Sequence, residues 1–214
     1  MAETKAKAPL SGRRAQAARN DDRILEAARE VFVANPEAPI AAVAKRAGVG
    51  ISALYRRYPS KEDLLRTLCA DGLDRYIATV EAALADAGDP WEAFAGFMRS
   101  AVDNDSTSLT LHLAGTFTPT EELYAAANRA QELNRRLFER TRKAGALRAD
   151  LDVNDIGLVL EQIAALHLGD AERTRAIRQR HLALVLDGLR TPAPSELPAP
   201  PPTWQEMAGR WQQA

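Results

Sequence analysis

The chain has 214 residues, with 28 Lys and Arg against 29 Asp and Glu, a formal charge of −1 and one cysteine, Cys69. The lone cysteine excludes an intrachain disulfide framework, and the absence of an apolar run of about 18 residues or of a signal-peptide core leads us to expect a soluble, cytoplasmic protein with no membrane contact. Residues 1–61 carry 12 Lys and Arg against 6 Asp and Glu, whereas residues 62–214 carry 16 against 23, so a basic head precedes an acidic body, as expected when only the N-terminal part meets nucleic acid.

Residues 1–19 lack apolar periodicity and read as a flexible basic arm, in which Lys5, Lys7, Arg13 and Arg14 either lie along DNA or merely solubilise the chain. Asn20 or Asp21 is expected to cap the first helix, with Ile24, Ala28, Val31 and Phe32 on its buried face and Asn35-Pro36 at its end. From Pro39 onward, Ile40, Val43, Ala44 and Ala47 fall on one face of a short helix. Gly48 stops it, because a glycine just past the last periodic residue can take the left-handed conformation and let the chain turn. In the next helix Leu54 and Tyr58, four apart, point inward, leaving Ile51, Ser52, Tyr55 and Arg56 on the opposite face. Two short helices joined by a glycine turn form a helix-turn-helix, here over residues 39–58, whose second helix enters the major groove. Lys45, Arg56 and Arg57 supply cations for phosphate or guanine edges, Ser52 can bond either, and the Tyr55 hydroxyl can reach a phosphate. Pro59 ends that helix, and Ser60 with Asp63 reads as the capping box of the next, which places Lys61 at a helix N-terminus suited to a phosphate.

The stretch AGVGISALYRRYPSKEDLL, extended back through RILEAAREVF, closely resembles the signature of TetR/AcrR-type transcriptional repressors. The resemblance implies an all-α protein: an N-terminal three-helix DNA-binding domain, taken as residues 20–66, then a helical effector-binding and dimerising domain over 67–190. It implies repression of a pseudo-palindromic operator, relieved by a small apolar effector. It also carries the family's base and phosphate contacts onto Ile51, Ser52, Tyr55, Arg56 and Lys61. Two positions depart from the pattern: Ala38 and Pro39 stand near the family's capping threonine, and Ala53 replaces a small hydroxyl residue.

Beyond the motif, a long helix is expected from Ser60 to about Asp86, with Leu64, Leu65, Leu68, Tyr76, Ile77, Val80 and Leu84 recurring at three and four. Cys69 lies on its apolar stripe and reads as a small core residue rather than a redox sensor. Asp89, Pro90 and Glu92 start a helix bearing Trp91, Phe94, Phe97 and Met98, a cluster that is either core or the lining of a ligand pocket. Residues 106–117 read as a short helix, within which His112 is a candidate ligand contact, as are Phe117 at its end and Tyr124 beyond it. The helix opened by Thr118, Pro119 and Glu121 carries Arg135, Arg136, Arg140, Arg142 and Lys143, read as a solvated outer face because Glu132 and Glu139 interleave with them.

Asp152 and Asp155 cap a helix with Ile156, Val159, Leu160 and Ile163, and Gly169-Asp170 leads into the last, with Ile177, Leu184, Val185 and Leu189. Apolar residues outside those stripes, Leu182 and Leu186 among them, indicate a second buried face. In the resembled family these two helices pair with their twofold mates, which implies a homodimer. Residues 191–214 form a Pro-rich tail, with Trp204, Met207 and Trp211 either on a short amphipathic helix or in a disordered end. An enzyme is the rival reading, but His112, His167 and His181 are scattered and no HExxH, CxxC or glycine-rich phosphate loop occurs, so neither cofactor, metal nor catalysis is expected. A helix-turn-helix used only for protein binding is the third.

Overall fold

The computed structural model describes residues 12–104 and 117–190, together with 192, 197, 200 and 202–205. The expectations placed on residues 1–11 and 106–116, including the one for His112, lie outside the described residues, as do those for Met207 and Trp211. The described residues form eight α-helices and no strand, which is the expected all-α class: α1 Gly12–Ala34, α2 Ile40–Ala47, α3 Ile51–Arg57, α4 Lys61–Ala85, α5 Pro90–Asp103, α6 Glu121–Lys143, α7 Val153–Ala164 and α8 Ala171–Leu189. The chain divides into two compact units, Met1–Leu64 and Leu65–Ala214, so the division falls within α4.

In the first unit α1 packs on α2, with Ile24, Leu25, Ala27, Ala28 and Phe32 buried. The helix begins at Gly12, eight residues before the expected cap at Asn20, which places Arg13 and Arg14 in its first turn rather than in a flexible arm. The physical reason is propensity: residues 13–19, RRAQAAR, are all strong helix formers, and such residues extend a helix without any apolar periodicity. Polar contacts also tie α1 to the helix-turn-helix. Arg23 donates to the Ala47 carbonyl at 2.7 Å, Glu30 pairs with Arg46, and Asp21 pairs with Arg57.

The second unit encloses one core, built from Ile77 and Val80 of α4, Trp91, Phe94, Phe97 and Met98 of α5, Leu133 and Leu137 of α6, Ile156, Leu160 and Ile163 of α7, and Leu182, Leu186 and Leu189 of α8. The starts of α5, α7 and α8 are those read from the sequence, whereas α6 is capped by Thr120, whose hydroxyl accepts from the Leu123 amide, rather than by the expected Thr118. The Asp89 carboxylate accepts from the Glu92 amide with Pro90 in the first turn, and Asp152 with Asp155 completes a capping box. Two further readings need correction. On α8 the core stripe is Leu182, Leu186 and Leu189, whereas Leu184 is 62% exposed and Val185 only half-buried, because both sets satisfy helical spacing and the partners in space decide between them. Arg140 does not lie on a solvated face: its guanidinium donates to the carbonyls of Ala83, Leu84 and Asp86, taking up acceptors that the C-terminus of α4 leaves open.

Candidate nucleic-acid interface and effector cavity

In the first unit the geometry of the turn follows from Gly48. Its φ is +65°, and the amides of Gly48 and Val49 return to the Lys45 and Ala44 carbonyls, closing α2 before the chain enters α3. At the other end of α2, Pro39 is the N-cap and makes no side-chain capping bond, consistent with the missing threonine. The inner faces are those expected: Ile40, Val43, Ala44 and Ala47 of α2 are buried, as are Leu54 and the capping residue Tyr58 of α3.

The rest of α3 faces water. Ile51 is 40% and Tyr55 46% exposed, and Ser52, Ala53 and Arg56 are exposed beside them. The cations of this unit divide into two groups. Lys45 and Arg56 are exposed and have no ion-pair or hydrogen-bond partner among the described residues. Arg57 is instead committed to Asp21 through two bonds, Nε to Oδ1 at 2.9 Å and Nη2 to Oδ2 at 2.8 Å, and that carboxylate holds its guanidinium pKa above the ordinary value. Lys61 opens α4, where Ser60 accepts from the Asp63 amide at 3.0 Å; its ammonium donates to the Pro36 carbonyl at 2.9 Å and lies 5.3 Å from the centre of the Phe32 ring. An ammonium has three donors, so the bond to Pro36 uses one of them.

In the second unit a cavity of about 20 Å³ is lined by Tyr76, Phe94, Phe97, Gln131, Asn134 and Phe138, with Val153 and Ile156 of α7 closing it. That volume is room for about one water molecule. Its polar wall is paired with itself, the Tyr76 hydroxyl donating to Asn134 Oδ1 at 3.1 Å and Gln131 Nε2 to Asn154 Oδ1 at 3.0 Å, and among the described residues that line it none is charged at neutral pH. Burial pushes the Tyr76 hydroxyl pKa up, keeping it a neutral donor. Tyr76 also meets Phe97 edge to face, with ring centroids 5.6 Å apart.

Of the ligand candidates read from sequence, Phe94 and Phe97 line this cavity. Trp91, Met98 and Phe117 are buried without lining it, and Tyr124 is 43% exposed. Sequence reasoning missed Tyr76, Gln131, Asn134 and Asn154 as lining residues. One signal was available: Asn134 falls between Ala130 and Leu137 on the buried stripe of α6, and a carboxamide on an apolar stripe needs a polar partner inside.

Among the described residues no helix is long and apolar enough to cross a membrane, and no group of three or more His, Cys, Asp or Glu is placed to hold a metal ion. Residues 24–68 match a family model described as bacterial regulatory proteins, tetR family, and residues 89–191 match one described as transcriptional regulator SbtR-like, C-terminal domain. No curated protein matches the chain. Among solved structures, the TetR transcriptional regulator SCO0520 from Streptomyces coelicolor is 30% identical, with 81% of this chain and 99% of that one covered and a TM-score of 0.57. The TetR transcription regulatory protein from Mycobacterium vanbaalenii is 31% identical, with 83% and 99% covered and a TM-score of 0.57. LfrR from Mycobacterium smegmatis, solved in complex with proflavine, shares the fold at 23% identity, with 84% and 99% covered and a TM-score of 0.62. Identity of this order over nearly the full length of the first two, together with the head and C-terminal matches, means that the chain belongs to the TetR family of DNA-binding transcriptional regulators.

Proposed function

We propose that this protein is a homodimeric repressor that grips a pseudo-palindromic operator through α3 of each subunit and leaves it when a small uncharged aromatic compound occupies the cavity of the second unit. The observation that carries the reading is the outward face of α3. A helix of seven residues buries only Leu54 while Ile51, Ser52, Tyr55 and Arg56 meet water together, an arrangement that gains little in the free protein and matches what a major groove offers. Arg56 and Ser52 read base edges, Ile51 packs on a thymine methyl or sugar, and Tyr55, Lys45 and Lys61 hold phosphates, with Arg13 and Arg14 adding further backbone contacts.

TetR-family regulators act as dimers, and the exposed Leu184 and Leu168 on and before α8, at 62% and 55%, are the apolar surface that a twofold mate would cover here. The effector class follows from the cavity wall. A charged ligand would lose its hydration with no counter-ion to receive it, whereas a neutral planar molecule gains the Phe94, Phe97 and Phe138 faces and the carboxamides of Asn134 and Asn154. Because the cavity holds only about one water, the effector must part the Tyr76–Asn134 and Gln131–Asn154 pairs. Tyr76 belongs to the same continuous helix that begins at Lys61, so displacing its side chain acts on α4 itself. A hundredfold preference of the effector for the released state corresponds to about 2.7 kcal/mol of coupling.

Titration of labelled operator by fluorescence anisotropy, with and without neutral aromatic amides and their charged isosteres, tests this reading. Operator affinity should fall steeply with salt, and only neutral compounds should release the DNA. Equal affinity for operator and random DNA would refute the recognition part, and release by the charged isosteres alone would refute the effector class.

A further inference from the structure

Adjacent arginines close α3, yet they have opposite fates: Arg56 is exposed without a partner among the described residues, and Arg57 is forked onto Asp21 of α1. The position of that fork on the helix matters. At about 100° per residue, Tyr58 lies some 40° to one side of Leu54, whereas Arg57 lies some 60° to the other. Leu54 and Tyr58 alone define a single line of contact, about which a helix of seven residues can roll. The bidentate pair adds a second line on the flank away from Tyr55, and a planar fork on a carboxylate fixes direction as well as distance. The anchor is itself held in place. One turn further along α1, Ile24, Ala27 and Ala28 are buried, and Arg23 bonds the Ala47 carbonyl beside the glycine turn. The Arg57 guanidinium also lies 5.7 Å from the centre of the buried Tyr58 ring, which further limits where it can point.

We infer that Asp21 and Arg57 are positioning residues that set the roll of α3, so that Arg57 acts on DNA recognition through Asp21 rather than by touching DNA. This rests on the reading that α3 is the DNA reader. It reassigns Arg57, whose charge and place in the sequence equally suit a phosphate contact. The pair is partly exposed, with side chains 59% and 26% accessible, so its effect on global stability is small while its effect on orientation reaches every exposed residue of a two-turn helix.

The two roles differ in the sign of what neutralising Asp21 does. As a mere negative charge in a basic head, Asp21 opposes DNA, and Asp21→Asn should tighten binding to all DNA alike. As a positioning residue, it is needed for discrimination, so D21N should lower the ratio of operator affinity to random-DNA affinity by about threefold to fivefold, the upper part of what an exposed ion pair contributes. The decisive experiment compares full-length wild type, D21N, R57D and the swapped D21R/R57D double variant, each against operator selected by the wild type and against random DNA. Circular dichroism confirms that every variant is folded. The expected result is a loss of discrimination in D21N and R57D that is recovered to within about twofold of the wild type in the swap, which restores the pair at unchanged net charge. A swap no better than R57D would overturn the inference, because a DNA-contacting Arg57 cannot be replaced by aspartate, and so would an unchanged affinity ratio in D21N. Failure of the wild type to select any operator would overturn both this inference and the reading of α3 on which it rests.

Discussion

Replacing Gly48 by alanine perturbs the turn from which the recognition helix emerges, and the structure gives the cost in two parts. With φ at +65°, the left-handed conformation costs an L-residue about 1–2 kcal/mol, and the stiffening of the unfolded chain does not offset it at an incompatible position. The new Cβ would stand 3.2 Å from Arg23 Nη2, the nitrogen that donates to the Ala47 carbonyl at 2.7 Å. Moving that guanidinium weakens a hydrogen bond worth about 0.5–1.5 kcal/mol, for a total of roughly 1.5–3.5 kcal/mol. Urea unfolding at fixed protein concentration measures the sum, and amide exchange at Val49, whose N–H bonds to the Ala44 carbonyl at 3.0 Å, reports the local part. In an Arg23→Met background the second part is already absent, so Gly48→Ala should cost only about 1–2 kcal/mol there. A cost below about 0.5 kcal/mol would refute the strain argument. Equal costs in both backgrounds would refute the part assigned to Arg23.

Leu184→Glu should give a folded monomer by sedimentation, whereas Leu182→Glu, at a fully buried position of the same helix, should unfold the second unit; an intact dimer with Leu184→Glu would place the interface elsewhere. Asp150 is held down to about 2 by hydrogen bonding from Arg148, with the Leu197 amide also donating to it. Its folded pKa lies below the unfolded value of about 3.9, so its stabilisation is full above that value and lost as pH falls through about 2. The melting temperature of Asp150→Asn should therefore fall below the wild type's at pH 7, with the gap narrowing as pH falls from about 4 through about 2; a gap as wide at pH 2 as at pH 7 would rule out ionisation as its source. Burial pushes the Cys69 thiol up to about 12, so iodoacetamide at pH 8 should modify it only after unfolding, and labelling of the native protein at the rate of a free thiol would contradict the core assignment.

The motif was legible because local chemistry decides it. Gly48 can do what no other residue does cheaply at +65°, and the spacings of Ile40, Val43, Ala44 and Ala47, then Leu54 and Tyr58, leave one choice of inner face. Asp89-Pro90 and the Asp152–Asp155 box were legible for the same reason, since a cap is satisfied within four residues. What remained hidden depends on partners distant in sequence. Two stripes on α8 fit helical spacing equally, and only packing against α5 and α7 selects Leu182 and Leu186. Arg140 looked like its solvated neighbours until the end of α4 supplied three carbonyls. The cavity's polar wall comes from Tyr76, Gln131, Asn134 and Asn154, on three helices whose approach no spacing rule encodes. Arg56 and Arg57 are indistinguishable as letters, and the difference between them is made by Asp21, 36 residues earlier.

The outward face of α3 carries the functional account, and selection of binding sites from random-sequence DNA by the wild type and Arg56→Ala in parallel tests it most directly. The wild type should enrich an inverted repeat whose half-sites are related by about one helical turn or a multiple of it. Arg56→Ala should bind that repeat roughly 1–3 kcal/mol more weakly and lose preference at one position in each half-site, with the others retained. An unenriched pool with the wild type, or the same profile from both proteins, would contradict the assignment of α3 as the surface that reads DNA.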